Sequence, residues 1–435
     1  MCKIKIIGAG LAGCEAAFAL AQRGHKVALY DIKPSRFTPA HSDSNFGELV
    51  CSNSLKGNDP YTNACGLLKQ EMRELGSLIV EAADSTRVPA GGALAVDRSD
   101  FAAYITAKIT SHPNIEVVCE EVKQLPSDEW CIVATGPLTC DALAEDIKEK
   151  LGGDLHFYDA SAPIVSRDSI DMNFAFVGDR YGRGGDDYIN CPLNKEEYEI
   201  FVRELLSAER AILHDFEKGE IFEGCMPVEV MAARGGDTLR FGPFKPVGLR
   251  DKNGNKFYAV LQLRKENAEG LAYNLVGCQT NLKFPEQKRV FSLIPALRGA
   301  EFLRYGVMHR NTYINSPQHL NADFSLKCDQ KIFFAGQMTG VEGYVESAAS
   351  GLMCALHMDR KLKGLAPVVP DNTCVLGALS AHISGANANF TPMNANFGIL
   401  RASEEKIRDK KERYKYLAER SLRYISGYKQ LLNKD

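Results

Sequence analysis

The sequence contains no apolar run that approaches the ~20 residues needed to cross a bilayer as a helix, so no membrane contact is expected. It begins directly with a predicted strand and shows no basic region, apolar core and cleavage site in series, so no signal peptide is expected either. Its 13 cysteines, an odd number, include no C-x-x-C spacing. This pattern argues against a disulfide framework or a zinc ribbon and for reduced thiols. We therefore expect a cytoplasmic protein without a metal site.

Internal repeats, low-complexity segments and a strong charge imbalance are also missing. A formal net charge of −3 with 25% charged residues is typical of a globular protein. Such a balance neither indicates nor excludes a nucleic-acid partner, because a basic face can be compensated elsewhere on the surface. At 435 residues the chain can bury a large core and is long enough for two or three domains.

The strongest motif lies at the amino terminus, where an apolar run from Lys3 to Ile7 leads into a glycine-rich turn and an alanine-rich helical stretch. A second apolar run then ends in Asp31. This order predicts a dinucleotide-binding βαβ unit: Gly8 for the tight turn, Gly10 for close approach to a diphosphate, and Gly13 for helix packing. Asp31 would accept a ribose hydroxyl, and the diphosphate would lie at the helix amino terminus. The predicted cofactor-binding residues of the turn are Gly8, Ala9, Gly10, Leu11, Ala12 and Gly13.

Two later segments favour FAD over a nicotinamide cofactor as the dinucleotide. One apolar strand ends in an A-T-G sequence at Gly136, and another ends in Gly336 and Gln337, before a helical stretch that begins at Tyr344. In flavoproteins that bind FAD through an amino-terminal unit, such segments return to the cofactor at the carboxyl ends of the strands. No second glycine fingerprint follows a strand and opens a helix. NAD(P)H would therefore have to reach the flavin directly, without a domain of its own.

The predicted fold class is α/β, an FAD-binding Rossmann-like domain of the glutathione reductase type with an inserted α+β domain. In the insertion, short apolar runs alternate with turns around one helix predicted from Lys195 to His214. The segment from Arg401 onwards has eleven Lys or Arg and six Asp or Glu, an excess of five. It is predicted as a helix that is either solvated or in contact with nucleic acid. The predicted parts are 1–150 (FAD-binding domain, first part), 151–300 (insertion), 301–365 (return of the FAD-binding domain) and 366–435 (carboxy-terminal helical tail).

Six longer strings carry a more specific resemblance. They are Gly8 to Ala17 (GAGLAGCEAA), Glu48 to Leu55 (ELVCSNSL), Val88 to Arg98 (VPAGGALAVDR), Phe222 to Met231 (FEGCMPVEVM), Thr238 to Leu249 (TLRFGPFKPVGL) and Phe334 to Gly351 (FAGQMTGVEGYVESAASG). Together they resemble the folate- and FAD-dependent tRNA (uracil-5-)-methyltransferases, from residue 3 to about 400. The sequence departs from the commonest family pattern at Lys56 to Cys65, and Asp31 stands where Glu is more usual.

The resemblance implies methylation of C5 of uridine in tRNA, at position 54 of the T loop, without S-adenosylmethionine. Methylenetetrahydrofolate would donate the one-carbon unit, FAD would carry it and NAD(P)H would supply electrons. Because C5 of uracil is a poor nucleophile, such chemistry calls for a thiolate that adds at C6 and a base that removes the C5 proton. In the family the residues matching Cys51 and Cys225 are the reacting groups. The residue matching His309 contacts the folate, and Tyr344 would lie near the flavin ring.

We assign the nucleophile to Cys225, because the insertion is the segment able to hold a splayed-out uracil over the flavin, and the base to Cys51. Two turn-rich basic segments, Arg234 to Gly236 and Pro243 to Pro246, are either contacts to the RNA backbone or solvated loops.

Other readings of the sequence predict other substrates or no reaction. The same chemistry on 23S ribosomal RNA is the main alternative, and the sequence does not separate the two RNAs. A related wobble-uridine flavoprotein carries a long carboxy-terminal helical domain, for which this sequence is too short. A small-molecule flavin oxidoreductase would need a redox-active cysteine pair or a second nucleotide fold. An RNA-binding module that merely retains FAD would not need both reactive cysteines. The sequence also leaves open NADH against NADPH, and the oligomeric state.

Overall fold

The computed structural model describes eleven ranges of the chain, and for residues 155–160, 220–221 and 308–312 it describes the backbone only. The described residues are 3–38, 40–152, 155–182, 187–211, 220–221, 226–250, 254–266, 270–306, 308–385, 390–404 and 407–432.

The strands and helices of these ranges are numbered in chain order. The strands are β1 (Ile4–Ile7), β2 (Val27–Asp31), β3 (Ser54–Gly57), β4 (Arg87–Val88), β5 (Ala93–Val96), β6 (Ile115–Cys119), β7 (Cys131–Val133), β8 (Leu155–Ala160), β9 (Ile164–Ser166), β10 (Phe176–Val177), β11 (Tyr188–Leu193), β12 (Glu220–Ile221), β13 (Ala259–Lys265), β14 (Ala272–Leu275), β15 (Phe302–Arg304), β16 (Met308–Tyr313) and β17 (Ile332–Phe334). The helices are α1 (Leu11–Gln22), α2 (Ala64–Glu74), α3 (Leu78–Ser85), α4 (Arg98–Ser111), α5 (Asp141–Leu151), α6 (Lys195–Ser207), α7 (Val228–Ala233), α8 (Thr238–Phe241), α9 (Phe284–Phe291), α10 (Ser316–His319), α11 (Tyr344–Leu362), α12 (Val375–Ser384) and α13 (Lys410–Leu432).

A parallel sheet forms the centre of the first domain, with the strand order β6, β2, β1, β7, β17. Its central strands are almost entirely buried, as expected for a parallel sheet covered by helices on both faces. The carboxyl ends of β1, β7 and β17 lie side by side at one edge of the sheet. The predicted α/β class with a Rossmann-like sheet is confirmed.

Three glycines allow the layers of this domain to pack closely at that edge. Gly8 has a φ of +100°, and a Cβ on it would lie 2.6 Å from the carbonyl oxygen of Ala134. A Cβ on Gly13 would lie 1.8 Å from the carbonyl oxygen of Gly8, and one on Gly351 would lie 2.1 Å from that of Ala12. The absence of side chains here lets α1 pack against both β1 and α11.

The insertion has its own sheet and its own core. Strands β10, β11, β13, β14, β9 and β15 form an antiparallel sheet in that order. Strands β12, β8 and β16 form a smaller mixed sheet, in which β8 pairs in parallel with β12 and antiparallel with β16. The rings of Phe201 and Phe244 lie 5.1 Å apart by their centroids, and those of Phe201 and Phe291 lie 6.0 Å apart. The buried apolar residues of this core lie between Val165 and Ala300. This core is therefore separate from that of the first domain.

Helix α6 is shorter than its sequence pattern predicts. It starts at Lys195 after the N-cap Asn194, whose side chain forms a reciprocal capping box with Glu197, but it ends at Ser207, seven residues before the predicted end at His214. Ala208 is extended, and Arg210 forms a β-bridge with Leu282. This pairing with the rest of the insertion competes with helix continuation, and it depends on a contact that is distant in sequence.

The carboxy-terminal helix packs into the core of the first domain. Helix α13 buries Leu417, Ala418, Ile425 and Tyr428, while its opposite face is charged and exposed. The structure therefore places the end of the predicted tail against α2. Among the helices of the described ranges, none is long and apolar enough to cross a membrane.

Glu71 on α2 ties the carboxy-terminal helices to the first domain. Its carboxylate accepts the N–H groups of Val375 (2.8 Å) and Leu376 (2.9 Å), in the first turn of α12, and the hydroxyl of Ser421 (2.6 Å) on α13. The side chain is fully buried, and burial raises the pKa of Glu71 to about 7.

We expect Glu71→Gln to lower the free energy of unfolding by ~1–3 kcal/mol at pH 5, because the amide nitrogen leaves buried N–H donors unsatisfied. The pKa of Glu71 in the folded chain, about 7, exceeds the value of about 4.3 for a solvated glutamate. Protonation of Glu71 therefore stabilises the folded chain at acid pH, and this stabilisation is lost as the pH rises through about 7. The loss of unfolding free energy in Glu71→Gln should then be smaller at pH 8 than at pH 5. Urea unfolding at both pH values measures this, with Glu74→Gln on the same helix as the control. An equal loss of unfolding free energy at both pH values would contradict a raised pKa of Glu71.

Candidate functional site

A cavity that is open to solvent lies at the carboxyl ends of β1, β7 and β17, and the empty space within it and at its open mouth is about 1160 Å³. Its lining includes ten of the eleven residues predicted from sequence to bind the cofactor. They are Gly8, Ala9, Gly10, Leu11, Ala12, Asp31, Gly136, Gly336, Gln337 and Tyr344. The remaining one, Gly13, lies behind the turn, against Gly8.

The carboxylate of Asp31 fixes the glycine turn by hydrogen bonds. One carboxylate oxygen of Asp31 accepts the N–H of Ala9 at 2.7 Å, and the other accepts the N–H of Lys33 at 2.8 Å. Gly10 is the N-cap of α1, no side chain caps the helix, and its first turn holds no acidic residue. A Cβ on Gly10 would meet nothing within 4 Å. The uncapped N–H groups therefore face open space, an arrangement suited to an anion such as a diphosphate.

Two more turns bring backbone to the opposite side of the cavity. Gly136 follows β7 with a φ of +66°, and Gly336 follows β17 with a φ of +83°. The N–H of Gly336 donates to the hydroxyl of Ser350 on α11 at 2.6 Å. The amide of Gln337 donates to the Glu342 carboxylate, also at 2.6 Å. These contacts fix the turn after β17 against α11 and against the segment that leads into it.

Cys51 lies beside this cavity in direct contact with Tyr344. The Tyr344 hydroxyl oxygen accepts the N–H groups of Cys51 (2.7 Å) and Ser52 (3.3 Å), and it lies 2.8 Å from Cys51 Sγ. Burial raises the pKa of Tyr344 well above its usual value, so the hydroxyl keeps its proton. Because the two N–H groups occupy both lone pairs of the oxygen, that proton is directed at Cys51 Sγ. A donor to the sulfur favours the thiolate.

Cys225, the second predicted reacting thiol, lies outside the described residues. The chain is described again from Met226, which is 3% exposed. Shortly after it, Glu229 accepts the N–H of Asn281 at 2.7 Å and the hydroxyl of Thr280 at 2.9 Å. The segment that follows Cys225 is thus anchored in the core of the insertion.

His309 lies on β16, where its backbone pairs with Asp159 of β8. Its side chain lies outside the described part. Strand β16 runs beside the turns at Gly136–Leu138 and Gln337–Thr339, both at the rim of the cavity. The backbone of His309 therefore lies on a strand next to the cavity.

Sequence reasoning missed a second wall of the cavity, which follows Asp31 in the chain and includes Lys33, His41 and Glu48. Thr38 Oγ lies 2.6 Å from His41 Nδ1, and burial lowers the pKa of His41, which favours its neutral form. The Glu48 carboxylate accepts two N–H groups of the loop that begins at Ser42. No periodic pattern marks this stretch, so the sequence held no signal for its position.

The eleven cysteines in the described part of the chain are all thiols. No group of three or more His, Cys, Asp or Glu that could hold a metal ion occurs among the described residues.

Comparison with known proteins relates the whole chain to one family. A family model described as "Glucose inhibited division protein A" matches residues 3–366. The chain is 57% identical over 428 residues, 98% of each chain, to "Methylenetetrahydrofolate--tRNA-(uracil-5-)-methyltransferase TrmFO" of Acetivibrio thermocellus. It is 57% identical over 422 residues to the protein of the same name from Geobacter sulfurreducens, covering 96% of this chain and 97% of that protein. The protein of that name from Staphylococcus carnosus is 54% identical, with 99% of each chain covered.

Among solved structures, the chain resembles GidA of Aquifex aeolicus in two crystal forms. The TM-scores are 0.70 and 0.73 at 15% and 16% sequence identity. The similarity covers 99% of this chain and 73% or 76% of the other. At this identity the likeness concerns the fold alone.

Proposed function

This chain belongs to the glucose inhibited division protein A family, and from that we propose that it methylates C5 of uridine in tRNA with methylenetetrahydrofolate as the one-carbon donor. The observation that carries the proposal is 57% identity, over 98% of both chains, to a protein named for that activity. We place the reaction at position 54 of the T loop, in the cytoplasm. No observation favours the alternative substrate, 23S ribosomal RNA, since the relatives described above are all named for tRNA.

The cavity suits FAD because three features meet there: the uncapped N-terminus of α1, the open space beside Gly10, and the carboxylate of Asp31, which can accept a ribose hydroxyl. Gly10 and the first turn of α1 would hold the diphosphate, Asp31 a ribose hydroxyl, and Gly136, Gly336 and Gln337 the opposite side. When bound and reduced, FAD carries the one-carbon unit and supplies electrons. We propose that NAD(P)H reduces it through the open side of the cavity.

The two thiols have separate roles in the proposed reaction. The Cys225 thiolate would form a bond to C6 of uracil, which shifts an electron pair onto C5 and makes that carbon nucleophilic. After C5 has accepted the one-carbon unit, Cys51 would remove the C5 proton. The C5–C6 double bond then reforms as the bond between C6 and sulfur breaks. Tyr344 would support Cys51 through its hydroxyl, and His309 would contact the folate.

Two measurements test this function. Total tRNA from cells that lack the protein should lose 5-methyluridine from the T loop. The purified protein should methylate tRNA when given methylenetetrahydrofolate and a reductant, and should be indifferent to S-adenosylmethionine. Transfer of a labelled methyl group from S-adenosylmethionine would reject the proposal, and loss of 5-methyluridine from ribosomal RNA alone would replace the substrate.

The insertion offers a surface on which RNA could lie. Phe241, at the end of α8, is 83% exposed, although Leu239 and Phe244 on either side of it are fully buried. Arg234 and Lys245 are exposed in the same turn-rich segment. An exposed aromatic ring among basic side chains suits an unstacked RNA base and its phosphates.

The exposed face of α13 offers a second basic surface, and its contact with RNA can be measured by salt dependence. We expect the triple change of Lys410, Lys411 and Lys415 to Ala to reduce the slope of log affinity against log salt by about 2 to 3, because each neutralised phosphate contributes about 0.7 to 0.9. The matched control changes Lys3, Lys26 and Lys331, which precede β1, β2 and β17 at the sheet edge away from the cavity. Equal slopes for the two triple variants would identify α13 as a solvated helix.

A further inference from the structure

The loop that carries Cys51 is held by an arginine of the insertion. Arg264 Nε donates to the side-chain oxygen of Asn53 at 3.0 Å, and its NH2 group donates to the hydroxyl of Ser52 at 2.7 Å. Arg264 is 7% exposed and lies on β13, which is paired on both sides by β11 and β14. One rigid guanidinium therefore contacts the two residues that directly follow Cys51.

The side chain of Asn53 completes this connection between the domains. Its amide nitrogen donates to the carbonyl of Val96 on β5 at 3.0 Å and to the carbonyl of Lys265 on β13 at 2.8 Å. Asn53 is fully buried. Its oxygen and nitrogen thus each have defined partners, which leaves the Cys51 loop little freedom to move relative to either domain.

The charge of Arg264 also acts on the thiol. Burial lowers the pKa of Arg264, whereas Glu266 and Cys51 act to raise it, so guanidinium and thiolate attract each other. A neighbouring cation favours the charged form of a thiol. The other titratable or charged groups around this cluster are Tyr344, Arg98, Glu266, Tyr188, Arg304 and Glu48.

We propose that Arg264 is a positioning residue for the reaction: it fixes the Cys51 loop across the domain boundary and stabilises the Cys51 thiolate. This inference rests on the proposed function in taking Cys51 as the base. The hydrogen bonds from Arg264 to Ser52 and Asn53 set the position of the Cys51 sulfur beside Tyr344. The positive charge of Arg264 attracts the thiolate form of that sulfur. A residue of the insertion thereby positions a reactive thiol of the first domain.

The test is the pH dependence of Cys51 alkylation by iodoacetamide in the full-length FAD-bound protein, followed at the Cys51 peptide by mass spectrometry. We expect Arg264→Gln to move the midpoint upwards, so that alkylation at pH 7 is about tenfold slower, and Arg264→Lys, which keeps the charge, to restore part of the rate. The matched control is Arg180→Gln, which removes a guanidinium bonded to Gln262 on the same strand β13. Because the readout is thiol chemistry, it stands even where methylation is not observed.

Three results would overturn the proposal. One is an unchanged midpoint in a folded, FAD-bound Arg264→Gln protein, and another is an equal shift in Arg180→Gln. If Arg264→Gln does not fold, Ser52→Ala takes its place. That variant keeps the charge, so it should retain the wild-type midpoint and FAD content while kcat for methylation falls several-fold. The third contradicting result is a Ser52→Ala protein with unchanged kcat.

Discussion

Gly10→Val is expected to abolish FAD binding while leaving the fold intact. Gly10 has a φ of −76° and a ψ of −169°, a conformation open to any residue, and a Cβ there would meet nothing within 4 Å. A branched side chain would instead fill the cavity and cover the N–H groups at the start of α1. Loss of two or three charge-assisted hydrogen bonds to the diphosphate should weaken binding at least about 100-fold, or ~2.8 kcal/mol.

Flavin absorbance per chain after purification measures this effect, with circular dichroism as the check on folding. The matched control is Gly299→Val, because a Cβ on Gly299 also meets nothing within 4 Å and Gly299 lies in the insertion, away from the cavity. Gly13→Ala separates cavity filling from damage to the turn, since its Cβ would lie 1.8 Å from the Gly8 carbonyl oxygen and should impair folding itself. If Gly10→Val retained stoichiometric flavin, the assignment of the diphosphate to this turn would be wrong.

Local patterns predicted the first domain well. The apolar run from Lys3 to Ile7 forms β1 (Ile4–Ile7), and the apolar strand predicted to end at Gly336 forms β17 (Ile332–Phe334). Both are short apolar segments closed by glycine, so the sequence around them determines their conformation. The βαβ order then limits the topology, because parallel strands with helical crossovers have few arrangements.

Distant contacts decided what the sequence could not predict. The Cys51 loop depends on Arg264, which is 212 positions from Ser52, and no local pattern links the two. Phe244 lies within a segment predicted as an RNA contact or a solvated loop, yet it is fully buried against Phe201. Helix α6 ends early because Arg210 pairs with Leu282. In each case tertiary packing overrides a pattern that is read along one stretch of chain.

The resemblance supplied the reacting thiols, and the structure adds a physical reason for one of them. Many described cysteines are buried, and burial raises the pKa of Cys65 to about 11 and that of Cys191 to about 12. Cys51 instead is partly exposed and lies 2.8 Å from the Tyr344 hydroxyl. A thiol in this setting is better suited to exchange a proton than one enclosed by apolar side chains.

Replacement of each thiol is expected to affect a different step of the reaction. With tRNA that contains 5-fluorouracil, proton removal is blocked because fluorine replaces the departing hydrogen, so the covalent adduct should accumulate on Cys225. Cys225→Ala should lose both the adduct and methylation. Cys51→Ala should lower turnover about 10²- to 10⁴-fold, the range for loss of a general base, while still forming some adduct at C6.

Denaturing gel electrophoresis detects the adduct, and mass spectrometry of the trapped peptide assigns the cysteine. Cys119→Ala is a suitable control, because Cys119 is exposed on the edge strand β6 and outside the cavity lining, so its loss should change neither adduct nor rate. The division of roles depends on geometry: attack at C6 must come from the segment that holds the RNA, and the base must lie beside the flavin, where Cys51 meets Tyr344. An adduct mapped to Cys51, or an active Cys225→Ala enzyme, would reverse these roles and leave the FAD cavity as an independent assignment.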